Sequence, residues 1–349
     1  MSHIEVVYLA TRPKGSPDEL AEAIAREQSL EILAELIPPQ IARDYLGRVR
    51  SVAQVDTERW ALTIAYPEHL ASDQVGQLLH LLYGNVSFYP RIRLQQLRLP
   101  DTLLARFPGP LGGIDAVREH IDVVDRTLLL SVLKPRGSSA EHLADLAYRF
   151  ARGGGDILKD DQNLVEKDLG EFRKRIRLCA EAVDRAAQDS GRRCLYLPHV
   201  AGSGAHLSAQ LEAVRRQGLA GVVLCPWVMG LEHAATAARE HGLMWLAHPA
   251  MAGAFTQTTA TGIVPELIFG SLPRLAGADL VIYPGDGGRI STGSLDTASA
   301  IHDALLGQQG PHHRSLPCSG GGKTLDQLPA LAARHGPDCA VVVGGDLLR

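Results

Sequence analysis

Apolar and polar residues recur with two different periods along this chain, and the change of period divides it. Ile4-Glu5-Val6-Val7-Tyr8-Leu9-Ala10 and Ala61-Leu62-Thr63-Ile64-Ala65-Tyr66 read as strands, whereas Pro17 to Gln28, opened by a proline, and Asp73 to Tyr83 repeat apolar positions at helical spacing. These predict a small α+β domain which, with its connector, occupies residues 1–120. From about Asp125 short β-rich runs alternate with long amphipathic helices, the pattern of a parallel sheet with helices outside it. The runs are Thr127 to Leu133, Asp156 to Lys159, Cys194 to His199, Gly221 to Cys225, Met244 to His248, Leu280 to Tyr283, Ser315 to Cys318 and Ala340 to Val343. Eight such units in about 225 residues predict a (β/α)8 barrel over residues 121–349, an α/β fold class. Only Asp346-Leu347-Leu348-Arg349 follow the eighth run, so the last outer helix is expected to be lacking, through truncation or because a partner covers the seam.

Barrel enzymes place their reacting groups at the C-terminal ends of the strands, and several of these ends are polar. The first ends in Lys134-Pro135-Arg136, the second in Lys159-Asp160-Asp161-Gln162, the third in His199 and the fifth in His248-Pro249. Alternate residues of an extended chain face one side, so Lys159 and Asp161 converge on one point, as an ion pair or as part of a hard-metal site. Glycines after the seventh and eighth runs, in Ser319-Gly320-Gly321-Gly322 and Gly344-Gly345, suit a phosphate site in which backbone N–H groups approach an anion. Cys318 beside them reads as a thiolate or, more commonly, as a small residue packed in a turn.

Composition narrows the ligand. A formal charge of −4 gives no basic face for nucleic acid, and no apolar run approaches the roughly 20 residues that span a bilayer. The N-terminal residues lack a signal peptide, and five scattered cysteines without a C-x-x-C pair read as reduced thiols, so a cytoplasmic protein acting on a small molecule is expected.

Taken together, Lys134-Pro135-Arg136, Gly154-Gly155-Asp156-Ile157-Leu158-Lys159-Asp160-Asp161, His248 and Ser319-Gly320-Gly321 resemble the RuBisCO superfamily. Gly84-Asn85-Val86, Trp60 and Phe107-Pro108-Gly109-Pro110 extend the resemblance into the first domain. It implies a ferredoxin-like N-terminal domain, a barrel, and a head-to-tail homodimer with active sites at the subunit interface. It also implies that Lys134 moves a proton, that Lys159 is carbamylated by CO2 to hold Mg2+ with Asp161, and that Asn85 enters from the partner subunit. His248, Arg136, Ser319, Gly320, Gly321, Gly344 and Gly345 become substrate or phosphate contacts.

Departures from that family are as specific as the matches. Gln162 stands where the third, acidic metal ligand is expected and Gln54 where the partner's glutamate is; Pro249 replaces an arginine, and a phosphate-binding histidine is lost around Tyr283-Pro284. The loop Pro284-Gly285-Asp286-Gly287-Gly288-Arg289 lacks an evident counterpart of the mobile lysine that helps CO2 addition. The chain therefore resembles the RuBisCO-like, or form IV, proteins rather than a carboxylase. With one phosphate site kept, a monophosphorylated keto sugar or keto sugar acid and enolate chemistry are expected. Decarboxylation or C–C cleavage of a 3-oxo sugar-acid phosphate is slightly favoured, because loss of two acids suits an anionic substrate carboxylate. Enolisation or isomerisation of the methionine-salvage type, a Schiff base on Lys134 or Lys159, and a catalytically degenerate binding subunit are the alternatives.

Overall fold

The computed structural model describes residues 2–285, 289–291 and 294–348; Asp286, Gly287 and Gly288 of the loop after the sixth barrel strand lie outside them. Two compact units are present. One comprises residues 1–108, 252–268 and 309–311, the other 109–251, 269–308 and 312–349.

In the first unit strands β1 (His3–Thr11), β2 (Arg48–Gln54), β3 (Arg59–Pro67) and β4 (Ile92–Arg98) form one sheet in the order β4-β1-β3-β2 with antiparallel neighbours. The two-residue strand β10 (Gly262–Ile263) extends it beside β4. Helices Pro17–Ser29 and Val75–Tyr83 complete the ferredoxin-like arrangement. The first starts where sequence places it: the Ser16 side chain accepts from the Glu19 N–H, Pro17 needs no donor, and Asp18 and Glu19 oppose the positive end of the helix. β2 and β4 escaped the sequence reading because Arg48, Arg50, Gln95 and Gln96 interrupt their apolar pattern.

The second unit is an eight-stranded parallel sheet: β5 (Leu128–Leu133), β6 (Ile157–Asp160), β7 (Leu195–Leu197), β8 (Gly221–Leu224), β9 (Met244–Ala247), β11 (Leu280–Pro284), β12 (Leu316–Lys323) and β13 (Ala340–Val343). Their order runs β7-β6-β5-β13-β12-β11-β9-β8, and a bridge between His199 and Val223 closes the ring. One parity of each strand fills the interior: Leu128, Leu130 and Val132 on β5, Ile157 on β6, Leu195 and Leu197 on β7, Val223 on β8, Met244 and Leu246 on β9, Leu280 and Ile282 on β11, Leu316 and Cys318 on β12. The other parity meets the surrounding helices; on β13, Val341 and Val343 pack with Leu331, and Leu347 of the last turn, with Leu328 and Leu129, lies against them. This last turn, Gly345–Leu348, stands where the expected outer helix would begin. Among the described residues no helix is long and apolar enough to cross a membrane.

The helix Gly113–Ile121 adds Ile114, Val117 and Ile121 to the interior cluster. Asp279, wholly buried just before β11, fixes it there by accepting from the N–H groups of Gly112 (3.0 Å) and Gly113 (2.8 Å) and from Trp245 N–H (3.0 Å) at the start of β9. Burial raises this carboxyl against the pull of those donors. Replacing Asp279 by leucine strands three backbone donors, and a loss of about 3 kcal/mol is expected in urea unfolding, with Asp279→Asn losing less.

Candidate active site

Strand parity carries past the apolar layers and builds the polar end of the barrel. One inward step beyond Val132 stands Lys134; beyond Ile157 stand Lys159 and Asp161; beyond Leu197, Val223 and Leu246 stand His199, Cys225 and His248. Five strands, β5 to β9, thus supply six polar or ionisable groups from one sequence rule.

Lys159 is 2 % exposed, and its Nζ donates to the Asp160 carbonyl oxygen at 2.7 Å. Burial drives the amine down to about 8, although Asp161, Asp160 and Cys225 favour its charged form; Lys134 adds to the lowering. At neutral pH about a tenth of it is therefore uncharged. Lys134 is half-buried, and its Nζ lies 3.0 Å from where a Cβ on Gly344 would stand, so glycine at 344 makes room for this amine. Asp161 accepts from the backbone and side-chain amides of Asn163 through one oxygen (2.9 and 2.8 Å). Asp160 takes the opposite parity and is bound on the outer side of the strand by Arg175, Tyr196 and the His199 N–H.

Both histidines are held neutral. His248 Nδ1 accepts from Ala250 N–H at 3.2 Å, which leaves the ring proton on Nε2; burial, then Lys159 and His199, lower it well below the usual histidine value. His199 Nδ1 is 3.4 Å from the Leu164 carbonyl, which assigns its proton to Nδ1, and Nε2 is 3.8 Å from Cys225 Sγ. Burial lowers this histidine too, and it pushes the Cys225 thiol up to about 11.

At the end of β12 the Ser319 hydroxyl is wholly buried and has no hydrogen-bond partner among the described residues. A Cβ on Gly285 would fall 2.2 Å from that oxygen and 3.5 Å from Lys323 Nζ, so a hydroxyl and a buried ammonium flank one glycine. Gly321 and Gly322 have φ of +98° and +96°, and a Cβ on Gly321 would strike the Ile290 carbonyl at 2.1 Å. The orphaned hydroxyl and the lysine are two donors of the kind that take an anion, while the missing side chain at Gly321 makes room for the Ile290 carbonyl. Lys323 was not assigned from sequence; a lysine directly after three glycines at a strand end was the available signal. Gly320 lies within this stretch, and its carbonyl accepts from Gly285 N–H at 3.1 Å.

Arg136 is exposed in the turn after β5, and nothing lies within 4 Å of a Cβ built on Gly345. Asn85, in the first unit, donates to Glu27 Oε1 at 2.9 Å. Tyr283 turns outward, its hydroxyl 2.7 Å from His302 Nε2, which explains why this position offers no ligand inside the barrel. Cys318 is an interior packing residue whose thiol donates to the Leu316 carbonyl; burial raises it well above the usual value.

No three His, Cys, Asp or Glu side chains are gathered for a metal among the described residues. The donor set at this end is instead Lys159, Asp161 and Gln162, and it fits a hard cation only with Lys159 converted to a carbamate, giving two anionic ligands and an amide oxygen.

Residues 2–107 match the ribulose bisphosphate carboxylase large chain N-terminal domain, and residues 113–310 match the catalytic domain of the same chain. The chain belongs to the RuBisCO large-chain family. Ribulose bisphosphate carboxylase-like protein 1 of Rhodopseudomonas palustris is 36 % identical, the alignment covering 100 % of this chain and 94 % of the relative. The 5-methylthioribulose-1-phosphate isomerase of Rhodospirillum rubrum is 34 % identical over 99 % of this chain and 91 % of its own. A crystal structure of a RuBisCO-like protein from Rhodopseudomonas palustris superposes with a TM-score of 0.89 at 32 % identity, covering 98 % of this chain and 94 % of that one. Within the RuBisCO family, this chain thus sides with the RuBisCO-like proteins.

Because the folded-state value of Lys159 is lowered, its reactive neutral form accumulates as pH rises through about 8. Competitive acylation read by mass spectrometry should give Lys159 a midpoint near 8, against about 10.4 for exposed lysines. A Lys159 midpoint at the exposed value would contradict its burial.

Proposed function

We propose that this protein moves a proton at the carbon beside the carbonyl of a singly phosphorylated ketose, through an enediolate, as an isomerase or enolase. The observation that carries the reading is one anion cradle, at Ser319 and Lys323, on the barrel end that holds Lys134 and the buried Lys159. The kinship to the Rhodospirillum rubrum isomerase makes 5-methylthioribulose 1-phosphate the first substrate to try.

In this reading Ser319 and Lys323, with the backbone around Gly320 and Gly321, take the phosphate. Lys134 removes the proton from carbon and returns it to the neighbouring carbon, while the hydroxyl proton passes from one oxygen of the enediol to the other, so the isomer forms without a redox partner. The Nε2–H of neutral His248 donates to the substrate oxygen that becomes the enolate, and charge stabilisation there lowers the barrier. Lys159 as a carbamate, Asp161 and Gln162 would hold Mg2+, which when bound polarises the substrate carbonyl. The amide at 162 makes that site less charged and its magnesium weaker than a three-acid site.

Decarboxylation of a 3-oxo sugar-acid phosphate is the second reading, favoured by Gln162 and Gln54, which remove two charges that would repel a substrate carboxylate. It leaves the same enolate, so Lys134 and His248 serve both. A homodimer is a further part of the proposal, carried by the family and by exposed apolar side chains. Phe88, 87 % exposed three residues after Asn85, and Leu33 and Leu36, 62 % and 58 % exposed, give the first unit an apolar surface suited to a second copy, with Asn85 entering the partner's site.

Incubation with 5-methylthioribulose 1-phosphate in D2O should wash deuterium into the carbon beside the carbonyl and form an isomeric ketose phosphate, seen by NMR. CO2 release from an oxo-acid phosphate without such exchange would select the second reading, and neither activity would leave a binding subunit. Lys134→Met should lower kcat by about 100- to 10,000-fold, the usual worth of a general acid–base group. Ser319→Ala and Lys323→Met should each reduce kcat/KM by about 10- to 100-fold, mainly through KM. Mixing the separately inactive Asn85→Ala and Lys134→Met chains should restore about one site in four if two copies share each site.

A further inference from the structure

Three separate segments meet at one inaccessible carboxylate behind the active-site strand. Asp160 ends β6 on the outer parity and accepts from the Arg175 guanidinium, from Tyr196 Oη at 3.0 Å and from the His199 backbone N–H at 2.9 Å. Arg175, 2 % exposed on the helix Leu169–Ser190, also forks onto Glu166 in the loop after β6, through Nε at 2.6 Å and Nη2 at 2.9 Å. Its guanidinium stacks 5.3 Å from the centre of the Phe172 ring. Both ends of one arginine are thus committed, one to the strand and one to the loop.

Stability alone does not call for this arrangement. Burying Asp160 with the Arg175 guanidinium, and Glu166 in part, carries a desolvation cost that apolar residues of equal volume avoid. What apolar packing cannot supply is direction, since hydrogen bonds fix an angle as well as a distance. Asp160 is the residue at which direction matters: its carbonyl receives the Lys159 amine, and its neighbours on either side face the barrel interior. A rotation of this strand end that freed the Asp160 carboxylate would turn Lys159 and Asp161 away from the mouth.

We infer that Arg175 is a positioning residue, a clamp that sets the rotation of the β6 end and so keeps Lys159 and Asp161 pointed into the active site from behind. The inference rests on the reading of those two residues as active-site groups, but its geometry can be read without turnover.

The test uses the full-length protein with Arg175→Met, Arg175→Lys and Glu166→Gln. The last two keep a cation or a neutral isostere in place should the methionine variant fail to fold. Acylation of Lys159 relative to Lys134, followed by mass spectrometry in folded protein, should rise by about tenfold in Arg175→Met and less in the other two, as local opening exposes the amine. Turnover should fall by about 100-fold in kcat with KM within about threefold, since misplacement of a catalytic group by an ångström costs that much, and Arg175→Lys should recover part of it. Unchanged labelling and unchanged kcat in any folded variant would overturn the clamp. Raised labelling in a protein that turns over no ketose phosphate would uphold the clamp and reject the proposed function.

Discussion

The lysines, aspartate, cysteine and histidines at the polar end of this barrel follow from the period-two alternation of β5 to β9 being held in register to the last residue. Inward positions are leucine, isoleucine and valine through the layers of the core, then change to lysine, aspartate and histidine without a change of parity. A slip of one residue on β6 would exchange Asp160 for Lys159 and Asp161, burying two charges against the helices and leaving Arg175 without its carboxylate. The hydrogen bonds around Asp160 and the apolar layer below oppose that slip from opposite sides.

The same alternation explains why two adjacent aspartates have unlike environments. Asp160 is consumed by structure, while Asp161 is half-exposed beside Gln162, where a substrate or cation can meet it. The two lysines differ for a related reason. Lys159 is enclosed and so loses much of its preference for the charged form, whereas Lys134 stands two residues beyond Val132, the register partner of Lys159, and is half-buried in the space that Gly344 keeps open. A poised amine and an accessible one, at the end of the barrel where β12 also brings Ser319 and Lys323 together, are the chemical content of the site.

Much of this was legible in the sequence. The eight barrel runs, the convergence of Lys159 with Asp161, and the glycines of β12 each rest on local pattern, which survives folding. What could not be read rests on pairs far apart in the chain. Lys323 gains its place from Gly285, Tyr283 is turned outward by His302, and Asp160 is claimed by Arg175 and Tyr196. The sequence showed Tyr283 as a loss of a phosphate ligand; the fold adds the reason, an outward parity. Strands β2 and β4 were missed because arginine and glutamine on their solvent side hide a pattern that pairing with β3 and β1 makes evident.

The most direct trial of the account is a crystal structure of the protein with Mg2+, bicarbonate and a non-reacting ketose 1-phosphate analogue. The account predicts the phosphate beside Ser319 and Lys323, a carbamate on Lys159, and the ketose carbonyl between Lys134 and His248. A phosphate bound away from β12, with Lys134 remote from every ligand carbon, would contradict it.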